Sequence, residues 1–562
     1  MMPERVGIPR RTKRPGRRWI GMALIALLAL FVFPATAQAS SYVPIDGQGS
    51  TWDENAIDQW TANVSQYGMD VQFTGNGSSA GRTAFAQGNL VSYAASDIPY
   101  GQTDDGQPNP PPDFKFAYVP VVAGGTAFMY HLDVGGRLVT NLRLSGQTIT
   151  KIFTGSLKMW NAPEIQAENP GITLPPIQIV PVVRTDGSGS SAQLTEWMAT
   201  EFPGMWNDYC HAAGRPVWNP CGATSFYPVV QGSNFVSQSL DSGVAGYVSS
   251  PDSNGAITYT EYSYALEADY PVVQLLNSAG YYTLPTSSND AVSLTKAQIY
   301  NNPGDLLTYL TQNLDDVYTD SDPRTYILSS YSYMIIPLTT SPPTNFTTAK
   351  GLTLSAFLDY AICQGQQDMG PLGYSPLPIN LVEAGFSQIK QIPGAQPQDI
   401  NVKSCNNPTF SSSGVNLVVQ SAPYPAACAK AGPTQCAANG TTAISSTGGG
   451  SGGSGAGSGG SGGTSGGSGG AAKGGAGSSK KAAGPSGSAS AAPVALGGSG
   501  SVQGTEASSG AYNPDVVAGE YFVSSAYSSP LGTSLMILAV GFLIVAVFGP
   551  AVYLWIRRRR RS

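Results

Sequence analysis

Residues 448–510 are almost wholly Gly, Ser, Ala and Thr, as in GGGSGGSGAGSGGSGGTSGG. Such a run has almost no apolar side chains with which to build a core, and glycine's backbone freedom opposes any single conformation. The folded body must therefore precede it, and whatever follows is joined through a flexible tether. With its fringes the tether is expected to span 448–530, and flexible-chain scaling gives it a typical reach of roughly 50 Å.

The two ends of the chain carry addresses. Residues 534–556 (SLMILAVGFLIVAVFGPAVYLWI) contain no charge and are followed by five arginines. As a helix they would extend about 35 Å, enough to cross a bilayer, with the arginines of the 557–562 tail on the cytoplasmic side. Residues 1–18 hold seven Arg or Lys, 19–33 are apolar, and Ala37-Gln38-Ala39 offers a small-residue cleavage site. This pattern predicts a signal peptide over 1–39. The body is expected outside the cell, on a single-pass anchor.

Six cysteines, Cys210, Cys221, Cys363, Cys405, Cys428 and Cys436, fall in the exported part. An even number in an oxidising compartment favours disulfides. Proximity suggests Cys210 with Cys221, Cys363 with Cys405 and Cys428 with Cys436, with other pairings open. There is no CxxC pair and the histidines are His131 and His211, so neither a zinc site nor any other cofactor is expected. Net charge is −6 and the cations are concentrated at the termini, which argues against a nucleic-acid partner.

Between 40 and 400 the composition is that of a globular body. Short apolar runs (MDVQF, FAYVPVV, IQIVPVV, VAGYV) read as strands and alternate with helical spacing in ENAIDQWTANVSQYG, AQLTEWMATEF and TLSAFLDYAICQG. Alternation of this kind predicts an α/β architecture with helices covering sheets. Residues 401–447 hold three of the cysteines and read as a stapled appendix.

Candidate chemistry is sparse. Gly77-Ser78-Ser79-Ala80-Gly81 matches G-x-S-x-G, and Asp97 and His131 follow in the serine, acid, histidine order of an α/β-hydrolase. That fold needs more chain between nucleophile and histidine, so Ser79 is a weak nucleophile candidate. DGSGSS lacks the Gly-Lys-Ser/Thr ending that grips a nucleotide. Asp97 and Asp186 would have to flank a cleft to act on a glycoside. Three small-residue clusters point elsewhere: GQGSTW at 47–52, TGNGSSAG at 74–81 and RTDGSGSS at 184–191 each follow or end an apolar run and precede a helical pattern. Each can turn N–H groups and hydroxyls toward an anion at a helix N-terminus.

These clusters, with the motifs TGNGSSAGRTAFAQGNLVSYAASDIPY, VPVVAGGTAFMYHL, LRLSGQTITKIFTGSLKMWNAPEIQAENPGITLPPIQIVPVVRTDGSGSSAQLTEWM, LNSAGYYTLPT and YAICQGQQDMGPLGYSPLP, occur in order over about 44–395. In this the chain resembles the phosphate-binding proteins of phosphate ABC importers, the PstS-like family. The resemblance implies a two-lobed periplasmic-binding-protein fold of type II over 40–400, with lobe 1 at about 40–130 and 325–400 and lobe 2 at 131–324. It implies inorganic phosphate as ligand, held in the interlobe cleft, an ABC permease as partner, and no enzymatic activity.

Carried over position by position, Thr51 would supply a hydroxyl and Thr51 and Trp52 backbone N–H groups. Ser78 would add a hydroxyl and N–H, and Arg184, Ser188, Gly189 and Ser190 would complete the donors. Asp186 would hold the arginine. Trp52 and Ser190 stand where the family usually has phenylalanine and threonine. Asp97 would accept the proton that phosphate keeps at neutral pH; sulfate has none to donate and would face an unpaired buried carboxylate.

Overall fold

The computed structural model of the protein describes residues 42–103, 106, 109–215, 221–396, 405–411, 413–438 and 443–444. The expected signal peptide, glycine-rich linker, transmembrane helix and arginine tail lie outside the described residues. Among those described, no helix is long and apolar enough to cross a membrane.

The strands of the main sheet are β1 (Ile45–Gly49), β2 (Val71–Gly75), β3 (Tyr93–Ser96), β4 (Phe116–Tyr130), β5 (Val180–Arg184), β6 (Val236–Gln238), β7 (Ala256–Glu261) and β8 (Ser329–Pro337). They lie in the order β2-β1-β3-β8-β4-β7-β5-β6. β1 is parallel to β2 and β3, and β5 is parallel to β6 and β7. Parallel neighbours need long crossovers, usually helical, and the helical patterns of the sequence supply them. α1 (Glu54–Ser65) and α2 (Ser78–Ala86) link β1, β2 and β3; α3 (Gly189–Glu201) and α4 (Leu240–Val248) serve β5, β6 and β7.

The two units meet at β4, which is buried at all 15 positions. This explains why FAYVPVVAGGTAFMY shows no polar alternation, since both its faces are covered. Residues 116–125 pair antiparallel with β8, and residues 126–130 pair antiparallel with β7. One strand is therefore shared by two half-sheets, and the changeover falls at Gly125 and Thr126.

One strand expectation is corrected. VAGYV, residues 244–248, is helical and forms the end of α4. A short apolar run does not by itself distinguish a strand from a buried helix face. Here Val244, Ala245 and Val248 sit on the buried face of a helix whose first turn carries Asp241.

Three disulfides join Cys210 to Cys221, Cys363 to Cys405 and Cys428 to Cys436. These are the pairs that proximity favours. The described part of the appendix is strapped onto the body. The buried Arg143 donates to the carbonyls of Thr434 and Lys430, while Gln435 and Cys436 exchange hydrogen bonds with Asn141.

Candidate anion-binding site

In an open α/β sheet, ligands gather at the carboxyl ends of parallel strands, where helix N-termini converge. Here the loop after β1 brings Ser50, Thr51, Trp52 and Asp53, α2 after β2 begins at Ser78, and Asp97 follows β3 directly. From the second unit come Arg184 to Ser190 after β5 and Asp241 after β6. All nine residues expected at the site lie at these strand ends, loops and helix starts.

Arg184 is 2% exposed. Its Nε and Nη2 donate to the two oxygens of Asp186 at 2.8 and 2.5 Å, a two-toothed pairing that fixes the plane of the guanidinium. Nη1 donates to Asp241, and Nη2 also donates to the Thr51 hydroxyl at 2.9 Å. Thr51 in turn donates to Asp241 at 2.5 Å. Burial opposes the charge of Arg184, but Asp241 and Asp186 outweigh it and hold the group above its usual pKa. Burial likewise pushes Asp186 up, and its bonds from Arg184 more than reverse this, leaving it below the usual carboxylate range.

Asp97 has a different setting. Ser50 donates to it with its Oγ 2.9 Å from either oxygen, Ser332 donates at 3.0 Å and Ser78 at 3.3 Å. Burial raises its pKa to about 6, against the hydroxyl bonds and Arg184, which lower it. The start of α3 presses on this carboxylate: a Cβ added to Gly189 would lie 1.8 Å from Asp97 Oδ2, so only glycine allows the approach. Ser188 caps α3 by accepting from the Ser191 N–H at 3.2 Å, which leaves its own proton free to donate.

Ser190 Oγ is buried with no hydrogen-bond partner among the described residues. The Trp52 N–H does not point outward; it donates to Ser50 Oγ at 3.0 Å, and the indole packs edge-on against Tyr374. Contacts across the two units close the site. Gln193 donates to the Asp97 carbonyl at 3.0 Å, Ser79 N–H to the Gly187 carbonyl at 3.0 Å, and Tyr264 to the Thr51 carbonyl at 2.8 Å.

The hydrolase arrangement does not assemble. Ser79 Oγ accepts from Arg82 at 3.2 Å, while His131 Nδ1 faces the Val248 carbonyl and its Nε2 lies 3.7 Å from Asp133. Four residues not among the nine expected are central: Ser50, Asp53, Asp241 and Ser332. Asp241 lies three residues before VAGYV, in the first turn of α4, and no motif in the sequence marks it. Ser332 left a trace in SSYSY, whose serines at 330 and 332 alternate in a strand buried throughout.

A family model described as a PBP superfamily domain matches residues 34–364. Phosphate-binding protein PstS 2 of Mycobacterium tuberculosis is 30% identical over 340 residues, covering 59% of this chain and 83% of the relative. The chain belongs to the PstS-like family of the PBP superfamily. A second member, PstS 3 of the same organism, is 29% identical over 355 residues, covering 61% of this PstS-like chain and 86% of its own. The solved phosphate-binding protein of Stenotrophomonas maltophilia is 14% identical with a TM-score of 0.43, covering 61% of this chain and 92% of that one. That likeness is too distant to bear on the site.

Proposed function

We propose that the chain is an exported receptor that binds one inorganic phosphate between its two lobes and hands it to an ABC permease. The observation that carries this reading is Asp97, a buried carboxylate set among hydroxyl donors and against the N-terminus of α3. An anion that still holds a proton can donate it to Asp97 while accepting from N–H groups at the start of α3 and from the hydroxyls of Ser188 and Ser190, since those of Ser50 and Ser78 already donate to Asp97 and that of Thr51 to Asp241. Arg184 contributes a donor and little net charge, because two carboxylates already balance it. Donors from both units favour the closed form when ligand is bound, and closure is what a permease can read. Residues 448–530 and 534–556 complete the proposal as tether and membrane anchor, leaving the receptor on the outer face of the cell membrane. No step makes or breaks a bond.

The test is calorimetry of the full-length chain in detergent near neutral pH, with phosphate and with sulfate, beside Asp97→Asn. The expected result is saturable phosphate binding, negligible sulfate binding, and loss of that preference in the variant. Equal binding of both anions by the unaltered chain would sink the proton-donor account, and binding of neither would sink the receptor.

A further inference from the structure

Asp53 is not among the residues that reach the proposed ligand, yet it lies directly behind Asp97. It stands at the N-cap position of α1, where an aspartate ordinarily accepts from the helix's first N–H groups, but its side chain makes no such bond. Instead Ser332 Oγ lies 2.5 Å from Asp53 Oδ2 and 3.0 Å from Asp97 Oδ1. A serine hydroxyl has one hydrogen. It can serve one of these contacts, so the other needs a proton on a carboxyl or becomes a bare approach of two oxygens. From this geometry we infer that Asp53 is a neutral acid which donates to Ser332, so that Ser332 donates to Asp97 and keeps it the ionised acceptor of the ligand's proton.

The environments decide which carboxyl holds the proton. Asp97 receives further hydroxyl bonds from Ser50 and Ser78 and is within the field of Arg184. Asp53 is 0% exposed, and its Oδ1 has no hydrogen-bond partner among the described residues. An ionised carboxylate with an oxygen orphaned in a dry interior is strongly disfavoured, whereas a neutral acid tolerates it far better. The groups facing Asp53 add no cation: they are Asp97 beyond β3, Glu54 on α1, and the buried phenols of Tyr93 and Tyr374. Burial first, then the charge of Asp97, pushes Asp53 well above the usual carboxylate range. The start of α1 favours an anion, but that is a smaller effect than burial without a counter-ion.

The role is positional. Asp53 sets the direction of the Ser332 hydroxyl and holds the Asp53–Asp97 pair at a single negative charge, which deepens the phosphate reading and rests on it for its consequence. A second charge there would raise the proton affinity of Asp97 and remove the acceptor on which discrimination depends.

The experiment compares the full-length chain with Asp53→Asn and Asp53→Ala. Infrared difference spectra at neutral to mildly alkaline pH read the C=O stretch of a protonated carboxyl; the expected result is a band in the unaltered chain that Asp53→Asn removes. Phosphate calorimetry across pH reads the consequence. Asp53→Ala leaves Ser332 undirected and is expected to weaken binding about tenfold, the value of one hydrogen bond, with Asn, which also donates, restoring most of it. Spectra that coincide in the carboxyl region overturn the proposal. So does an Asn variant that behaves as Ala does, or one in which the pH midpoint of binding falls by about one unit, the signature of a removed charge. If the unaltered chain binds neither phosphate nor sulfate, the receptor reading fails alone, because the infrared band still reports on Asp53.

Discussion

The loops of the site hold two pairs of buried or half-buried carboxyls, and the pairs have opposite fates. Asp186 and Asp241 close on Arg184 from two sides, each accepting from a guanidinium N–H, and Arg184 holds Asp186 below the usual carboxylate range. Asp97 and Asp53 share one serine hydroxyl and touch no cation, and both are pushed upward by burial. The same side chain is thus held as an anion by a guanidinium at one wall, as Asp186 is, and pushed toward its neutral form by burial at the other. The partner within about 3 Å decides, because moving a carboxylate out of water is unfavourable by several kcal/mol unless a counter-charge or hydrogen bonds offset it.

The comparison breaks most readily at the charged wall. Arg184→Ala leaves Asp186 and Asp241 without their cation, and the expected loss is about 3–5 kcal/mol of unfolding free energy, read from denaturant titration near neutral pH. A loss under about 1 kcal/mol would show that these acids, like those behind them, can shed their charge. Gly189→Ala comes next. Its new Cβ meets Asp97 at 1.8 Å, so the carboxyl or the helix must shift, with about 1–3 kcal/mol of destabilisation in thermal melts and a larger loss of phosphate affinity.

The protonation contrast has its own signature. Asp97 titrates at about 6 in the folded chain against an ordinary 3.8. A raised carboxyl pKa means the folded state binds the proton more tightly. Its contribution to ligand-free stability is therefore fully present below about pH 4 and is lost as pH rises through 6. Phosphate selectivity runs the other way: as pH falls through about 6, Asp97 stops accepting and sulfate is expected to compete. Competition that does not vary between pH 5 and 8 would separate discrimination from Asp97 altogether. The smallest effect is expected from Ser78→Ala, which removes the long 3.3 Å bond to Asp97 and should alter phosphate affinity by about 0.5–1.5 kcal/mol.

Much of the architecture was legible because local pattern and global fold agree. ENAIDQWTANVSQYG and AQLTEWMATEF became α1 and α3, and the run FAYVPVV became part of a strand covered on both faces. The three small-residue clusters lie where strand ends meet helix starts, because glycine and serine are what such a junction tolerates. Asp241 was lost for an equally local reason. The run VAGYV at 244–248 fits a strand or a buried helix face, and only the helix extends back to 240 and takes in the turn that carries Asp241. Asp53 and Ser332 could not have been paired from pattern at all, since 279 residues separate them.

The sequence by itself determined the α/β character, the candidate anion loops and the pairing of Arg184 with Asp186, two residues away, because these depend on periodicity and on reach along the chain. Tertiary structure alone decided which acids meet a cation and which meet another acid. Charge state depends on what lies within a few ångströms in space, and the pairing of β3 with β1 and β8 brings together there residues that the chain keeps far apart.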